Sequence, residues 1–386
     1  WVGTFGDSLY HITAGSSLQV IPHAFKGINS LYQSKEGDFW IATDKGLVLM
    51  QSNQFTIPDP NSLAHFIEGM AYDERREIFY YCTKETLVVL TPQRTGNTFL
   101  SRRLFFNEQS YFQALRIGEQ GLWAGIDFRV ILFDQGVAKN TWDFSSEGNF
   151  VHDLFVDSKQ NVWVSQADNS NIIVIRPNHS IQRYHLPLQK QSEINLTREG
   201  KAGIYVAASG LSAYLFYKPH EANAFKNISV PVPFSVQSDL NITDLAVSED
   251  EVLWLASTEG LLRYSAGTIE RVNLGETFSA LSVSSVEMLD DDNVLFANSF
   301  GLFRYNIKSK DYWLYDEHSG LPSNTVTDQG ILIDSKSRLW IGTSYGIAIS
   351  DKSIITERKT PKPFCVAALV NGVSTRFMNN FSVPYN

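Results

Sequence analysis

Apolar and polar residues alternate along this chain in short runs, and the runs recur. Residues 334–346 read DSKSRLWIGTSYG: a polar turn, the apolar run Leu-Trp-Ile, a Gly-Thr step, and a second polar turn closed by Gly346. Residues 157–166 read DSKQNVWVSQ, with the same Asp-Ser-Lys at the same distance from a tryptophan. Aligned on that aromatic, the chain gives WVGT at 1, WIAT at 40, YYCT at 80, WAGI at 123, WVSQ at 163, YVAA at 205, WLAS at 254, LFAN at 295 and WIGT at 340. A period of about 42 residues that covers nearly a whole chain signals a repeat architecture, and it takes precedence over local signals.

Each unit has one grammar. An apolar stretch such as GILI (330–333) precedes a polar turn, and the anchor strand follows. Two positions after the aromatic stands a small residue: Gly3, Ala42, Cys82, Gly125, Ser165, Ala207, Ala256, Ala297 and Gly342. A second turn often carries Gly46, Gly260, Gly301 or Gly346, and a third strand follows, as in LVLM (47–50) and LFRY (302–305). A looser fourth stretch ends the unit. Strands this short, rich in β-branched and aromatic residues and bounded by turn formers, leave no convincing helical periodicity. Four antiparallel strands per period predict an all-β fold, a β-propeller of four-stranded blades. The anchor aromatic then fills the space between blades, and the small residue lets the next blade approach. Seven anchors, from 80 to 340, make one seven-bladed ring, and the first two units belong to a preceding propeller. A ring of eight or nine blades closed by the C-terminal tail is the alternative. The predicted boundaries are 1–360 for propeller repeats, with 1–60 assignable to a preceding propeller, and 361–386 for a following β-sandwich or tail.

Composition narrows the function classes. Apolar residues make up 43% of the 386, which suits a packed globular core. The 32 basic against 41 acidic residues, net −9, with no basic run, argue against nucleic acid. Two cysteines, Cys82 and Cys365, are too few for a disulfide scaffold. No apolar stretch is long enough to span a membrane as a helix, and no leader is visible at Trp1.

Catalytic and metal chemistry find little support. The eight histidines are scattered without ligand spacing, so no metal site and no cofactor is expected. The DDD run at 290–292 occupies a repeat turn and reads as a solvated hairpin. No nucleophile elbow or phosphate loop is present. Binding is left. Propeller ligands gather on the face that holds the loops entering the innermost strands and the loops joining the second and third strands. Candidates are the residues there that break the repeat: Phe128 and Arg129 after Trp123, Asn149 and His152 entering an inner strand, Asp168 and Asn169 after Trp163, and the turn aromatics Phe300 and Tyr345. Aromatics beside Asn, Asp and Arg suit carbohydrate, with rings on CH faces and polar groups on hydroxyls. The competing reading is that these aromatics cover loop or interdomain contacts.

At GLPSNTV (320–326), DSKSRLWIGT (334–343) and Gly346-Ile347, the sequence resembles the two-component regulator propeller repeat. The match is good around Trp40, Trp163 and Trp254 and weak around Tyr80 and Tyr205. Residues 361–373 (PKPFCVAALVNGV) resemble the start of the Tyr-Tyr-Tyr sandwich domain that follows such propellers. The resemblance implies a non-enzymatic, extracytoplasmic sensor region, periplasmic or extracellular, of a hybrid histidine kinase or a diguanylate cyclase. It would bind an external ligand, an oligosaccharide among the options. The signal would pass through a downstream sandwich and membrane segments, in a full-length homodimer. The alternatives are a secreted polysaccharide lyase or glycosidase, and a protein-interaction scaffold.

Overall fold

The computed structural model describes residues 54–351 apart from 94–97, 107–109, 189–191, 210–213 and 231–239, together with short segments within 2–50 and 368–375. The chain divides into two compact units, Asn53–Ile354 and a second formed by Trp1–Ser52 with Ile355–Asn386. In the second unit the described strands form two three-stranded antiparallel sheets, and Ala368–Val370 pairs with Val373–Thr375. The tail resemblance falls mostly outside the described residues, as does Cys365.

The larger unit is a seven-bladed propeller. Six sheets have four antiparallel strands in sequence order, and the seventh has three. The innermost strands are, in order, Gly69–Asp73, Phe112–Gly118, Val151–Val156, Glu193–Glu199, Ile242–Val247, Val283–Asp290 and Val326–Ile333. Among the described residues there is no α-helix, only two single 3₁₀ turns at Pro60–Ser62 and Glu317–Ser319.

The ring closes by lending its start to its last blade. Thr56 exchanges both backbone hydrogen bonds with Ile349, each 2.9 Å, standing where a fourth strand belongs. Gln54 and Phe55 donate to the Ser319 carbonyl, and the buried Phe55 ring packs edge-on against Tyr315. The Ser62 hydroxyl accepts from Ile347 N and donates to the Asp59 carbonyl, while Tyr81 of the first blade donates to the Asp59 carboxylate at 2.7 Å.

All seven anchors of this ring, Tyr80, Trp123, Trp163, Tyr205, Trp254, Leu295 and Trp340, are buried. The hydrophobic clusters each span two neighbouring blades: Trp163, Ile172 and Val174 meet Ile194, Val206 and Phe216, for example. Trp340 lies in the seam between the last and first blades, stacked on Phe79 with ring centroids 3.8 Å apart. The small residue two positions on faces the same seam. A Cβ on Gly342 would meet Ile67 at 3.0 Å, and one on Gly125 would meet Val151 of the next blade at 2.7 Å.

The polar turn before the anchor has a second duty. Asp334 accepts the Trp340 indole N–H at 2.8 Å with one oxygen and the backbone N–H groups of Lys336 and Arg338 with the other. Asp157 does the same for Trp163, Lys159 and Asn161. This is why Asp-Ser-Lys recurs six residues ahead of the aromatic. In the fifth blade Ser248 stands at that place; its hydroxyl accepts from Val252 N, and the Trp254 indole N–H is buried without a partner. A buried unmet donor costs about 1–3 kcal/mol. Ser248→Asp is therefore expected to stabilise the protein by about 1 kcal/mol, part of the gain being offset by the neighbouring Glu249 and Asp250. Urea unfolding of the two proteins checks the sign.

Candidate functional site

Antiparallel order places the turns between second and third strands, and the segments leading from one blade to the next, on one face of the ring. At this face the innermost strands share a device. Pairing with the second strand slips by one residue between Phe112 and Ala114, Val151 and Asp153, Ile194 and Leu196, Ile242 and Asp244, and Val283 and Ser285. The last blade has a longer excursion, between Val326 and Ile331, and the first blade pairs without a shift. A bulge leaves one residue out of the ladder and re-aims its side chain. The residues set free are all polar: Gln113, His152, Asn195, Thr243 and Ser284, joined by Thr327 in the last blade.

Several of them stitch blade to blade. Asn195 Nδ2 donates to the Ile242 carbonyl at 2.7 Å, Thr243 Oγ1 to Val283 at 2.8 Å and Ser284 Oγ to Val326 at 2.9 Å. Each acceptor is the residue just before the next blade's bulge. From the fourth blade to the last, the line of bulges is thus also a line of hydrogen bonds between blades.

One layer deeper, charges alternate from the second to the fifth blade. Arg116 donates to Asp153 at 3.0 Å, Arg198 donates to Asp153 at 2.9 Å and to Asp244 at 3.0 Å, and both guanidiniums reach the Gln329 side-chain oxygen. Asp153 and Asp244 are buried, and Asp244 also accepts from Ser285 Oγ and from the Val286 and Leu245 amides. Gln329 holds its place with a left-handed backbone, φ +52°. This plug divides the axial space. Above it, an upper chamber of about 230 Å³ opens among Glu68, Gln113, His152, Asn241, Thr243 and Asp328. Below it, a lower chamber of about 330 Å³ is lined by Tyr72, Phe155, Asp244, Glu287 and Leu332. Arg116 and Gln329 border both.

Burial, with the Asp244 charge adding to it, pushes the Glu287 carboxyl up to about 7. An acid held above its ordinary value of 4.5 binds its proton more tightly folded than unfolded. The stability it confers is complete below pH 4.5 and is lost as pH rises through 7. On the order of 2 kcal/mol should disappear across this window. Glu287→Gln is expected to flatten that part of the pH–stability curve, measured by denaturant midpoints at stepped pH. Burial likewise raises Glu68 and Asp328 at the upper chamber.

The candidates read from repeat breaks all fall on this face, in different settings. His152 lines the upper chamber, with its Nδ1 3.4 Å from the Asn195 carbonyl. Asn149 donates to the Asp168 carboxylate beside the third blade's turn, where Asp168 has φ +57°. Asn169 is 4% exposed and accepts from Asn171 N, so it shapes that turn from inside. Arg129 pairs with Asp127 at 3.2 Å and lies over the Phe128 ring at 5.8 Å. Phe128, Phe300 and Tyr345 are exposed, at 37%, 45% and 52%, Phe300 with its ring edge-on to Phe278. None of these except His152 lines the upper chamber. Sequence reasoning missed the rest of the polar ring and the plug. A signal exists: a polar residue follows a large apolar one in FQA, VHD, INL, ITD, VSS and VTD, at one place in each repeat.

Among the described residues no three His, Cys or carboxylate side chains converge for a metal ion. Cys82 is buried in the core.

The last blade carries the deciding observation. Its approach, GLPSNTV, forms a capped turn: Gly320 closes the 3₁₀ turn at φ +99°, Asn324 accepts from Glu317 N at 2.9 Å, and Val326 opens the inner strand. Residues 320–345, from this turn through the Trp340 strand, match the two component regulator propeller family. This blade's repeat is similar to that of the two component regulator propeller. An alignment 145 residues long, covering 34% of the chain and 10% of its relative, is 30% identical to Histidine kinase P4 of Formosa agariphila. The extracellular domain of a hybrid two component system from B. thetaiotaomicron superposes with a TM-score of 0.61 at 16% identity, over 97% of this chain and 53% of that one. The chain therefore spans about half of that structure and a tenth of the kinase. Virginiamycin B lyase from Staphylococcus aureus superposes over 77% of the chain, and 97% of its own, with a TM-score of 0.59 at 10% identity. At such identities the structural likenesses establish the propeller fold.

Proposed function

We propose that this chain is the extracytoplasmic sensor region of a two-component receptor and that its external ligand seats in the upper chamber. The observation that carries this reading is the chamber itself: polar side chains from most blades, freed by bulges at equivalent positions, converge over a charged plug. Such a site gives a bound molecule contacts to several blades at once. Small-ligand sites are concave, preformed and furnished with a few convergent polar groups. The two-component repeat and the histidine kinase relative support a signalling role over a catalytic one. On this reading the ligand's contacts with several blades are passed to a following sandwich and to a membrane-linked kinase, in a full-length dimer.

A lyase is the second reading, favoured by the propeller likeness and by one histidine, His152, at the mouth. A thermal-shift screen of the whole chain against oligosaccharides and small metabolites tests the first. A compound that raises Tm unchanged in mass, and whose affinity falls at least fivefold in His152→Ala, supports the sensor. Turnover of that compound, lost in the same variant, supports the lyase.

A further inference from the structure

The hydrogen-bonding groups around the upper chamber are unequally committed. The Arg116 guanidinium is spent on the Leu115 carbonyl, Asp153 and Gln329. The Thr243 and Thr327 hydroxyls donate to the Val283 and Gly342 carbonyls. The Asn195 amide N–H groups go to Asn241 Oδ1 and the Ile242 carbonyl. The charged groups that stay open on the chamber wall are acceptors. Glu68 of the first blade and Asp328 of the last line the chamber, and neither carboxylate has a hydrogen-bond or salt-bridge partner among the described residues. Gln113 adds a side-chain oxygen that is fully buried without a partner. A buried acceptor left without a partner, as the Gln113 oxygen is, is costly, so the chamber gains from a guest that donates to it.

Charge points the same way. The basic groups nearby are Arg116, already paired, His152, which lies near Asp328, and Lys84, which lies near Glu68 with its ammonium 4.1 Å over the Tyr111 ring. The acceptors do not converge as a metal site would. They are spread over a chamber of about 230 Å³ whose rim carries Phe66, 47% exposed. A spaced set of acceptors beside an aromatic face suits an ammonium group on a carbon skeleton, since N–H donors, charge and cation–π attraction are all met together.

We infer that the upper chamber binds an organic cation, holding its protonated amine between Glu68, Asp328 and the Gln113 side-chain oxygen. This rests on the reading of the chamber as the ligand site and adds the ligand's chemical class. The amine could come from an amino sugar or from an aliphatic polyamine.

Isothermal titration of the whole chain with glucosamine, 1,4-diaminobutane, glucose and 1,4-butanediol decides both points. At least one amine should bind saturably and at least tenfold more tightly than its neutral counterpart, and which one binds names the source. Glu68→Gln and Asp328→Asn should each weaken that amine at least tenfold. Both keep side-chain size and remove charge from positions that water reaches, Glu68 half-buried and Asp328 exposed, so an unchanged unfolding midpoint keeps the reading clear. Failure of both amines to bind overturns the inference, as does equal binding of glucose or butanediol, or affinity unchanged in both variants. Glucose binding that is lost in His152→Ala would overturn the amine while leaving the chamber as the site. Binding unaffected by all three variants would overturn the chamber as well.

Discussion

Trp340→Ala is expected to open the ring at its seam, lowering stability by about 3–5 kcal/mol, the usual cost of truncating a large buried aromatic. Trp340 is the anchor where the cost should be greatest. Its ring is fully buried, stacks on Phe79 at 3.8 Å and takes the edge of Phe99 at 5.3 Å, so it joins the first blade to the last. Its loss also leaves the Asp334 oxygen that held the indole N–H with the Arg338 Nε alone. Elsewhere in the ring an anchor joins blades that are already consecutive in the chain. Here the partners are far apart in sequence, and covalent continuity does not hold them together. Guanidinium unfolding followed by tryptophan fluorescence gives the stability change. Limited proteolysis should cut the variant first within 54–68, the segment that closes the ring. A loss below about 1 kcal/mol would mean that Trp340 is not the seam residue.

The second large effect lies on the axis. Arg198→Met removes the cation that serves Asp153 and Asp244 together and should cost about 3–5 kcal/mol, because two buried carboxylates are left short of charge. Adding Asp153→Asn should recover part of that loss, since Arg116 and Asp244 then remain as the balancing pair. A coupling of at least about 1 kcal/mol between the two sites is expected from groups in direct contact. Strict additivity in a double-mutant cycle would show that the plug is not one network.

These effects map onto what a sequence can and cannot disclose. The blade period, the anchor aromatics and the small residues beside them were legible because packing against a neighbour imposes the same demand in every repeat. Trp123, Trp163, Trp254 and Trp340 are buried as that demand requires, and Gly125 and Gly342 face neighbouring blades closely enough that a methyl group would collide. The candidate site was legible only in its face. Departures from the repeat picked out Phe128, Phe300 and Tyr345 in the turns, where a change of side chain is visible by eye. The plug was hidden because its members differ from blade to blade. Arg116, Asp153, Arg198 and Asp244 are complementary rather than alike, so a comparison of repeats scores them as noise. Their alternation of sign has meaning only once the ring brings them to one axis. The bulges were hidden for another reason: a one-residue slip in pairing is set by the strand opposite, and no single run of sequence reports it.

The central claim is that ligand recognition belongs to the axial mouth and not to the aromatic turns around it. On the proposed sensor role, the direct measurement is ligand-dependent output of the full-length receptor carrying either of two sets of substitutions. One set alters the mouth, Gln113→Ala, His152→Ala and Asp328→Asn. The other alters the turns, Phe128→Ala, Phe300→Ala and Tyr345→Ala. With both receptors folded and present at equal levels, the mouth set should lose at least nine-tenths of the response and the turn set should keep most of it. A receptor that still responds with its mouth altered, and falls silent when only the turns are changed, would contradict the account.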